Sequence, residues 1–263
     1  MAVLSVDLAY RRWSDLGIVV LDRSNAPLAS FDYGASARPI GCQIIPSTAA
    51  GQEGGPIDAD VLAGRLNHLC ATRGIRVMML DGPQAWKSKS NGFEHARVSE
   101  RQLNTAAKTG LPGMVKPVTY RPFAEFCLDV YDALCRRGWR RMDTSERSTA
   151  PQDRVLVESY PHAAWKSLGL TPLPSKRRTK VSDLARAYGD LRAVIPFTTD
   201  RPPNHDQLQA IVGGLPGLAL DERNTAAVRI VGKPPRREEG HWREGYIVLP
   251  LPPHKPIGLR WLD

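Results

Sequence analysis

Three short apolar runs in this chain each end on an acid. Val3-Leu4-Ser5-Val6 leads into Asp7, Val77-Met78-Met79-Leu80 into Asp81, and Val155-Leu156-Val157 into Glu158. Runs of this length and composition read as buried β-strands. Open α/β sheets place their ligand sites outside the carboxyl ends of such strands, so one pattern constrains both fold and site. A fourth acid, Asp206, falls in the first turn of a late helical segment for which Asn204 is a good N-cap.

The segments between these acids predict an α/β order. A second strand spans Gly17 to Leu21, followed by the polar turn Asp22-Arg23-Ser24-Asn25, and a third lies at Cys42 to Ile45. After a glycine-rich loop from Gly51 to Pro56, Asp58 caps a helix through about Thr72 and Gly74 stops it. Val61, Leu62, Leu66, Leu69 and Cys70 form its expected buried side. Strand, helix and strand at this spacing imply a crossover within a sheet that contains parallel pairs.

Phe123, Phe126, Cys127, Val130, Tyr131 and Leu134 mark an amphipathic helix closed by Gly138. Residues 87 to 153 as a whole read as a helical insertion within a single domain of 263 residues. Pro161 suits the first position of another helix, carrying Ala163, Ala164, Trp165 and Leu168, and a further helix starts near Val181. In the late helix Leu208, Ile211 and Val212 face the core, while Gly213 and Gly214 obscure where it ends. A last strand runs from Gly245 to Leu249, before a proline-rich tail to Asp263.

Charge narrows the partner. The 36 Lys and Arg against 27 Asp and Glu give a net charge of +9, which favours a polyanion, most simply nucleic acid. The basic residues cluster at Lys176-Arg177-Arg178 with Lys180, at Arg136-Arg137 with Arg140-Arg141, and at Arg236-Arg237. Each cluster alone is also explained as a solvated loop or helix end. Trp86, in a polar loop five residues past Asp81, is the tryptophan placed to stack on a base.

Several classes lose their main signal. No apolar stretch is long enough to span a bilayer, and no basic region precedes an apolar core at the N-terminus, which together point to a cytoplasmic protein. Cys42, Cys70, Cys127 and Cys135 are scattered without a C-x-x-C pair, so neither zinc nor a disulfide framework is indicated. The six histidines show no H-E-x-x-H, and both the G-x-S-x-G elbow and the P-loop are missing. Nothing in the sequence calls for a homo-oligomer.

Carboxylates arriving from adjacent strand ends and a covering helix suit hard divalent cations, which take oxygen ligands. Two such ions about 3.5–4 Å apart would activate a water and stabilise the leaving oxygen of a phosphodiester. Without cations the converging charges would repel. Each acid also has a plainer reading. Asp7 and Asp81 could end strands and bind loop amides, and Asp206 could complement the helix dipole.

The motifs together resemble a family. Ser5-Val6-Asp7, Leu80-Asp81-Gly82-Pro83, Val157-Glu158-Ser159-Tyr160-Pro161 with Ala163-Ala164-Trp165, His205-Asp206 with Ala210, and Glu244-Gly245-Tyr246-Ile247 are similar to those of domain of unknown function 429. The resemblance extends from the first strand to Pro250, and E-x-Y-P-x-x-x-W is its most specific piece. It implies a ribonuclease-H-like mixed sheet flanked by helices, and a nuclease dependent on magnesium or manganese. Asp7, Asp81 and Asp206 would ligate metal, and Glu158 would be a ligand or a water-orienting base. Arg97 and Arg101 match an arginine-bearing segment that grips phosphate, or else form a helix-surface ion pair with Glu100. Lys176, Arg177, Arg178 and Lys180 would add to the nucleic-acid contact. The chain departs from the family at Gln209, where a second acid is common, and at Ser5, where glycine is common. The first departure keeps open a non-catalytic nucleic-acid or nucleotide-binding protein on the same fold.

Overall fold

The computed structural model describes residues 1–23, 40–47, 55–144 and 153–252. The turn residues Ser24 and Asn25, most of the glycine-rich loop and the tail from Pro253 lie outside them. Eleven strands are formed by the described residues. They are β1 (Ala2–Asp7), β2 (Gly17–Asp22), β3 (Ile40–Ile45), β4 (Val77–Asp81), β5 (Lys108–Thr109), β6 (Val115–Lys116), β7 (Arg140–Arg141), β8 (Val155–Ser159), β9 (Phe197–Thr199), β10 (Val228–Glu238) and β11 (His241–Pro250). The α-helices are α1 (Ala59–Arg73), α2 (Val98–Gln102), α3 (Arg121–Arg136), α4 (Pro161–Ser167), α5 (Val181–Val194) and α6 (His205–Asp221).

A mixed sheet flanked by helices organises the molecule, in the order β10-β11-β8-β4-β1-β2-β3-β9, with β7 also paired to β8. The pairs β1–β4, β4–β8, β8–β11 and β3–β9 are parallel, whereas β1–β2, β2–β3 and β10–β11 are antiparallel. Alternation along the strands divides the core in two. Val3, Met79 and Val157 face α4, α5 and α6. Leu4, Val6, Met78, Leu80 and Leu156 face α1 and α3. α3, which lies inside the 87–153 segment, packs against α1 over the second face.

Local signals explain most element ends. Asp58 accepts a hydrogen bond from the Val61 amide at 2.8 Å, and Gly74 takes a left-handed conformation with φ 64°. Val61 itself departs from expectation and points to solvent, because the buried stripe runs through Leu62, Ala63, Leu66 and Cys70. Asn204 caps α6 by accepting from the Gln207 amide at 2.9 Å.

The glycines of α6 are contacts rather than stops. A Cβ at Gly214 would come within 2.6 Å of the Ser5 Cβ, and one at Gly217 within 2.8 Å of Met79. Their absence lets the helix backbone lie directly on the sheet, so α6 continues to Asp221. The last strand is likewise longer than its apolar run. It forms one arm of the β10–β11 hairpin, turned at Glu239 (φ 52°) and Gly240 (φ 79°). Two positive φ values at the tip suit the twist of a tight hairpin.

Candidate active site

Asp7 and Asp81 are register partners in the parallel β1–β4 pair, so their side chains leave the same face at adjacent strand ends. The two carboxyl groups lie within each other's electrostatic reach. A hydrogen bond between them needs a proton on one, since two carboxylates are both acceptors. Loss of hydration, then the charges of Asp81 and Asp206, push Asp7 well above the usual carboxylate range, with Lys176 offsetting this in part. Loss of hydration is also the main cause that moves Asp81 up to about 7.

Asp206 reaches this pair from the first turn of α6. What allows it is Gly17, the register partner of Asp7 on β2. A Cβ at Gly17 would fall 2.1 Å from the Asp206 carbonyl oxygen, so only glycine admits the helix end here. Asp206 is buried and engaged on both oxygens. Lys176 Nζ donates to Oδ2 at 2.5 Å and to Asp15 Oδ1 at 2.8 Å. His205 Nδ1 lies 3.1 Å from Asp206 Oδ1, and its Nε2 donates to the Pro174 carbonyl at 3.0 Å. Burial lowers the Lys176 pKa, but its hydrogen bonds to Asp15 and Asp206 outweigh this and raise it overall.

Glu158 lies elsewhere. Its register partner is Leu80, and Ser159 is the residue opposite Asp81. A shift of one residue sends its side chain to the other face of the sheet. There Arg97 donates from Nη1 and Nη2 to the two Glu158 oxygens, each at 2.6 Å, and the Gln84 amide adds a bond of 3.0 Å. Burial pushes the Glu158 carboxyl up, while the charge and hydrogen bonds of Arg97 pull against it.

Arg97 also donates from Nε to Glu100 Oε1 at 3.1 Å and from Nη2 at 3.0 Å. The expected ion pair with Glu100 is therefore present, but it is buried and not on a helix surface, and with 1% of its surface exposed Arg97 does not grip phosphate. Its charge is consumed by two buried acids. Arg101 remains exposed, with its guanidinium 6.0 Å from the centre of the Phe93 ring.

Other basic clusters are similarly committed. Arg136 and Arg137 pair with Asp60, Arg141 with Asp132, and Arg236 with Glu238. Arg177, Arg178 and Lys180 stay exposed in the loop before α5 and keep the expected basic surface. Trp86 is not a stacking platform. It is 8% exposed and packs with Val115, Ala124 and Leu128. Gln209 accepts the Trp165 indole N–H at 2.8 Å, which accounts for the amide at this position as the partner of a buried donor.

The donors fit a hard divalent cation in part. Asp7 and Asp81 form a buried pair of carboxyl groups whose charge is disfavoured by lost hydration, and Asp206 is near enough to act on Asp7. Among the described residues no three His, Cys, Asp or Glu side chains form a ready metal cage. Glu158 projects from the opposite face and is paired with Arg97, although its charge still helps to raise Asp81. Gly17 and Lys176 are the residues whose roles sequence patterns did not disclose. A single glycine opening a strand and a lysine in a basic run have many ordinary explanations.

No family model matches the chain, and no curated protein matches it. A solved structure of Thermus thermophilus RuvC is similar over 86% of this chain and 95% of that chain, with 12% identity and a TM-score of 0.36. Among the described residues no helix is long and apolar enough to cross a membrane.

Proposed function

We propose that the protein is a divalent-metal-dependent nuclease on a ribonuclease-H-like sheet, related to domain of unknown function 429. The observation that carries this reading is the Asp7–Asp81 pair, two carboxyl groups at adjacent parallel strand ends with Asp206 brought beside them by Gly17. Asp7, Asp81 and Asp206 would hold magnesium or manganese. Bound there, the cation would supply charge to the scissile phosphate and make a water nucleophilic.

The chain's own groups complete the site. Lys176 spreads positive charge beside Asp206, where a phosphate oxygen would otherwise meet only acids. Arg177, Arg178 and Lys180, exposed in the same loop as Lys176, add positive charge that favours association with a polyanion. Glu158 fastens the Arg97 segment next to the site instead of touching the reacting atoms.

The experiment is cleavage of single-stranded, double-stranded, hybrid and branched substrates with Mg²⁺ or Mn²⁺, by wild type and Asp7→Asn. Wild type is expected to cut, and the variant to lose at least hundredfold, about 2.7 kcal/mol of transition-state stabilisation. Equal cutting by both would remove Asp7 from the site. One observation favours a second reading, a nucleic-acid-binding protein without catalysis: Lys176 and Arg97 already neutralise two of the four acids. Binding that falls steeply with salt, with no cutting in either metal, would decide for it.

A further inference from the structure

Next to Asp81 a cavity of about 220 Å³ opens at the carboxyl ends of β4 and β8. Asp81 belongs to both the acid pair and this cavity wall. Proline and tyrosine rings supply much of the apolar part of the remaining wall, beside the polar Thr105, Thr109 and Ser159. Pro83 and Tyr160 come from the turns that follow the two strands, and Pro117 and Tyr120 from the 87–153 segment. The buried Arg97–Glu158 pair also lines it.

Tyr160 is half-buried at the N-terminus of α4, with its ring centroid 6.0 Å from that of His162. The Tyr120 ring packs against Phe123 with 4.9 Å between centroids, and its hydroxyl lies in the field of Asp81 and Asp7. Tyr120 nevertheless remains 38% exposed, so the cavity mouth presents an aromatic surface to solvent.

Size decides what can enter. Pockets for drug-sized ligands run to about 300–1,000 Å³, and this one is smaller, so it suits a single ring system. Flat proline and tyrosine walls favour a planar, stacking group. A base inside a duplex cannot reach such a recess without leaving its stack. From the cavity, the phosphate of the same nucleotide would lie towards Asp7, because Asp81 is shared.

Resting on the nuclease reading above, we propose that this cavity receives one unstacked nucleobase of the strand whose phosphate meets Asp7 and Asp81. The substrate class is then a single-stranded or locally unpaired polynucleotide. Free mononucleotide offers the same chemistry, and separate measurements distinguish the two sources.

The test uses the full chain with Mn²⁺, adenosine 5′-monophosphate, ribose 5-phosphate, and single strands carrying one abasic position each. Ala107→Trp fills the cavity from a wall residue outside the acid pair. Wild type is expected to bind adenosine 5′-monophosphate at least tenfold more tightly than ribose 5-phosphate. Ala107→Trp should lose that preference while keeping the wild-type thermal shift with Mn²⁺, which shows that it is folded. One abasic position should slow cleavage tenfold and its neighbours should not. Equal binding of the two small probes overturns the proposal, as does a preference that survives Ala107→Trp. Cutting that depends on no single base overturns it and leaves the nuclease reading intact. A nucleotide preference with no strand cleavage in either metal supports the cavity and removes the nuclease reading. A preference with cleavage but no abasic effect assigns the cavity to free nucleotide and overturns the strand form.

Discussion

Two groups of acids meet the carboxyl edge of the same sheet from opposite faces, and they differ in what answers their charge. On one face Glu158 and Glu100 share the buried guanidinium of Arg97, and Glu244 accepts from the Ser88 and Val98 amides, each at 2.8 Å, and from Asn91 Nδ2 at 2.6 Å. On the other, Asp7 and Asp81 face each other, and burial raises the proton affinity of both. An acid with a cation and amides around it is a fastening. Two acids left facing each other keep a vacancy of charge that a cation or substrate can fill. The contrast separates structure from site more sharply than does the presence of an acid at a strand end, which both groups have.

The largest test of this contrast removes the cation from the first group. Arg97→Ala leaves Glu158 and Glu100 buried without their partner, and breaking a buried pair in this way costs about 3–5 kcal/mol. Urea unfolding should show that loss. Asp7→Asn should move the other way or not at all in metal-free buffer at pH 8, because a neutral amide replaces a carboxyl whose charged form is disfavoured by burial and by Asp81. Similar destabilisation by both substitutions would break the distinction between the faces.

The pH dependence comes next. The Asp81 carboxyl rises from an ordinary 3.8 to about 7 in the folded chain, and Asp7 moves in the same direction. The folded state therefore holds more protons than the unfolded state between about pH 4 and 7. A raised carboxyl pKa makes stability fall as pH rises through that window, by about 1.4 kcal/mol per pH unit for each proton. Stabilisation by Mn²⁺ should run opposite, small at pH 5.5 and larger at pH 8, because the cation competes with the protons on this pair. Thermal unfolding at the two pH values measures both slopes. A Mn²⁺ shift independent of pH would show that the ion binds away from this pair.

Much of this edge is legible in the sequence because strand pairing follows local patterns. The runs ending at Asp7 and Asp81 are short, apolar and bounded by turns, and Asn204 announces the helix that carries Asp206. Register is not local. Glu158 follows its strand just as Asp81 does, but it pairs one residue earlier, and that single step puts it on the other face. Arg97 could not be recognised as its partner, since 61 residues separate them in sequence. The glycines of α6 and Gly17 read as breakers until the backbone that approaches them is known. The β10 strand was missed because Pro234, Pro235, Arg236 and Arg237 interrupt its apolar pattern where the β10–β11 register shifts.

A smaller effect tests the Gln209 departure. Gln209→Leu strands the buried Trp165 indole N–H without an acceptor, for a loss of about 1–3 kcal/mol. The Mn²⁺ shift should be retained, because the amide serves the helix–helix contact and not the acid pair. If that shift disappears while stability holds, Gln209 acts in the site after all.

The smallest stability change belongs to Lys176, and it probes the boundary between the two kinds of acid. Lys176 is 49% exposed, so its bridge between Asp15 and Asp206 is screened by water and worth at most about 1 kcal/mol. Lys176→Met should thus unfold almost as wild type does. The same change frees an Asp206 oxygen beside Asp7, so the Mn²⁺ concentration for half-maximal stabilisation should fall. Nucleic-acid binding should lose about one unit of its salt slope, because one phosphate contact is gone. Tighter metal binding together with a shallower salt slope would place Asp206 with Asp7 and Asp81, its lysine a replaceable counter-ion. Unchanged metal binding would place it with Glu158, an acid whose cation is part of the fold.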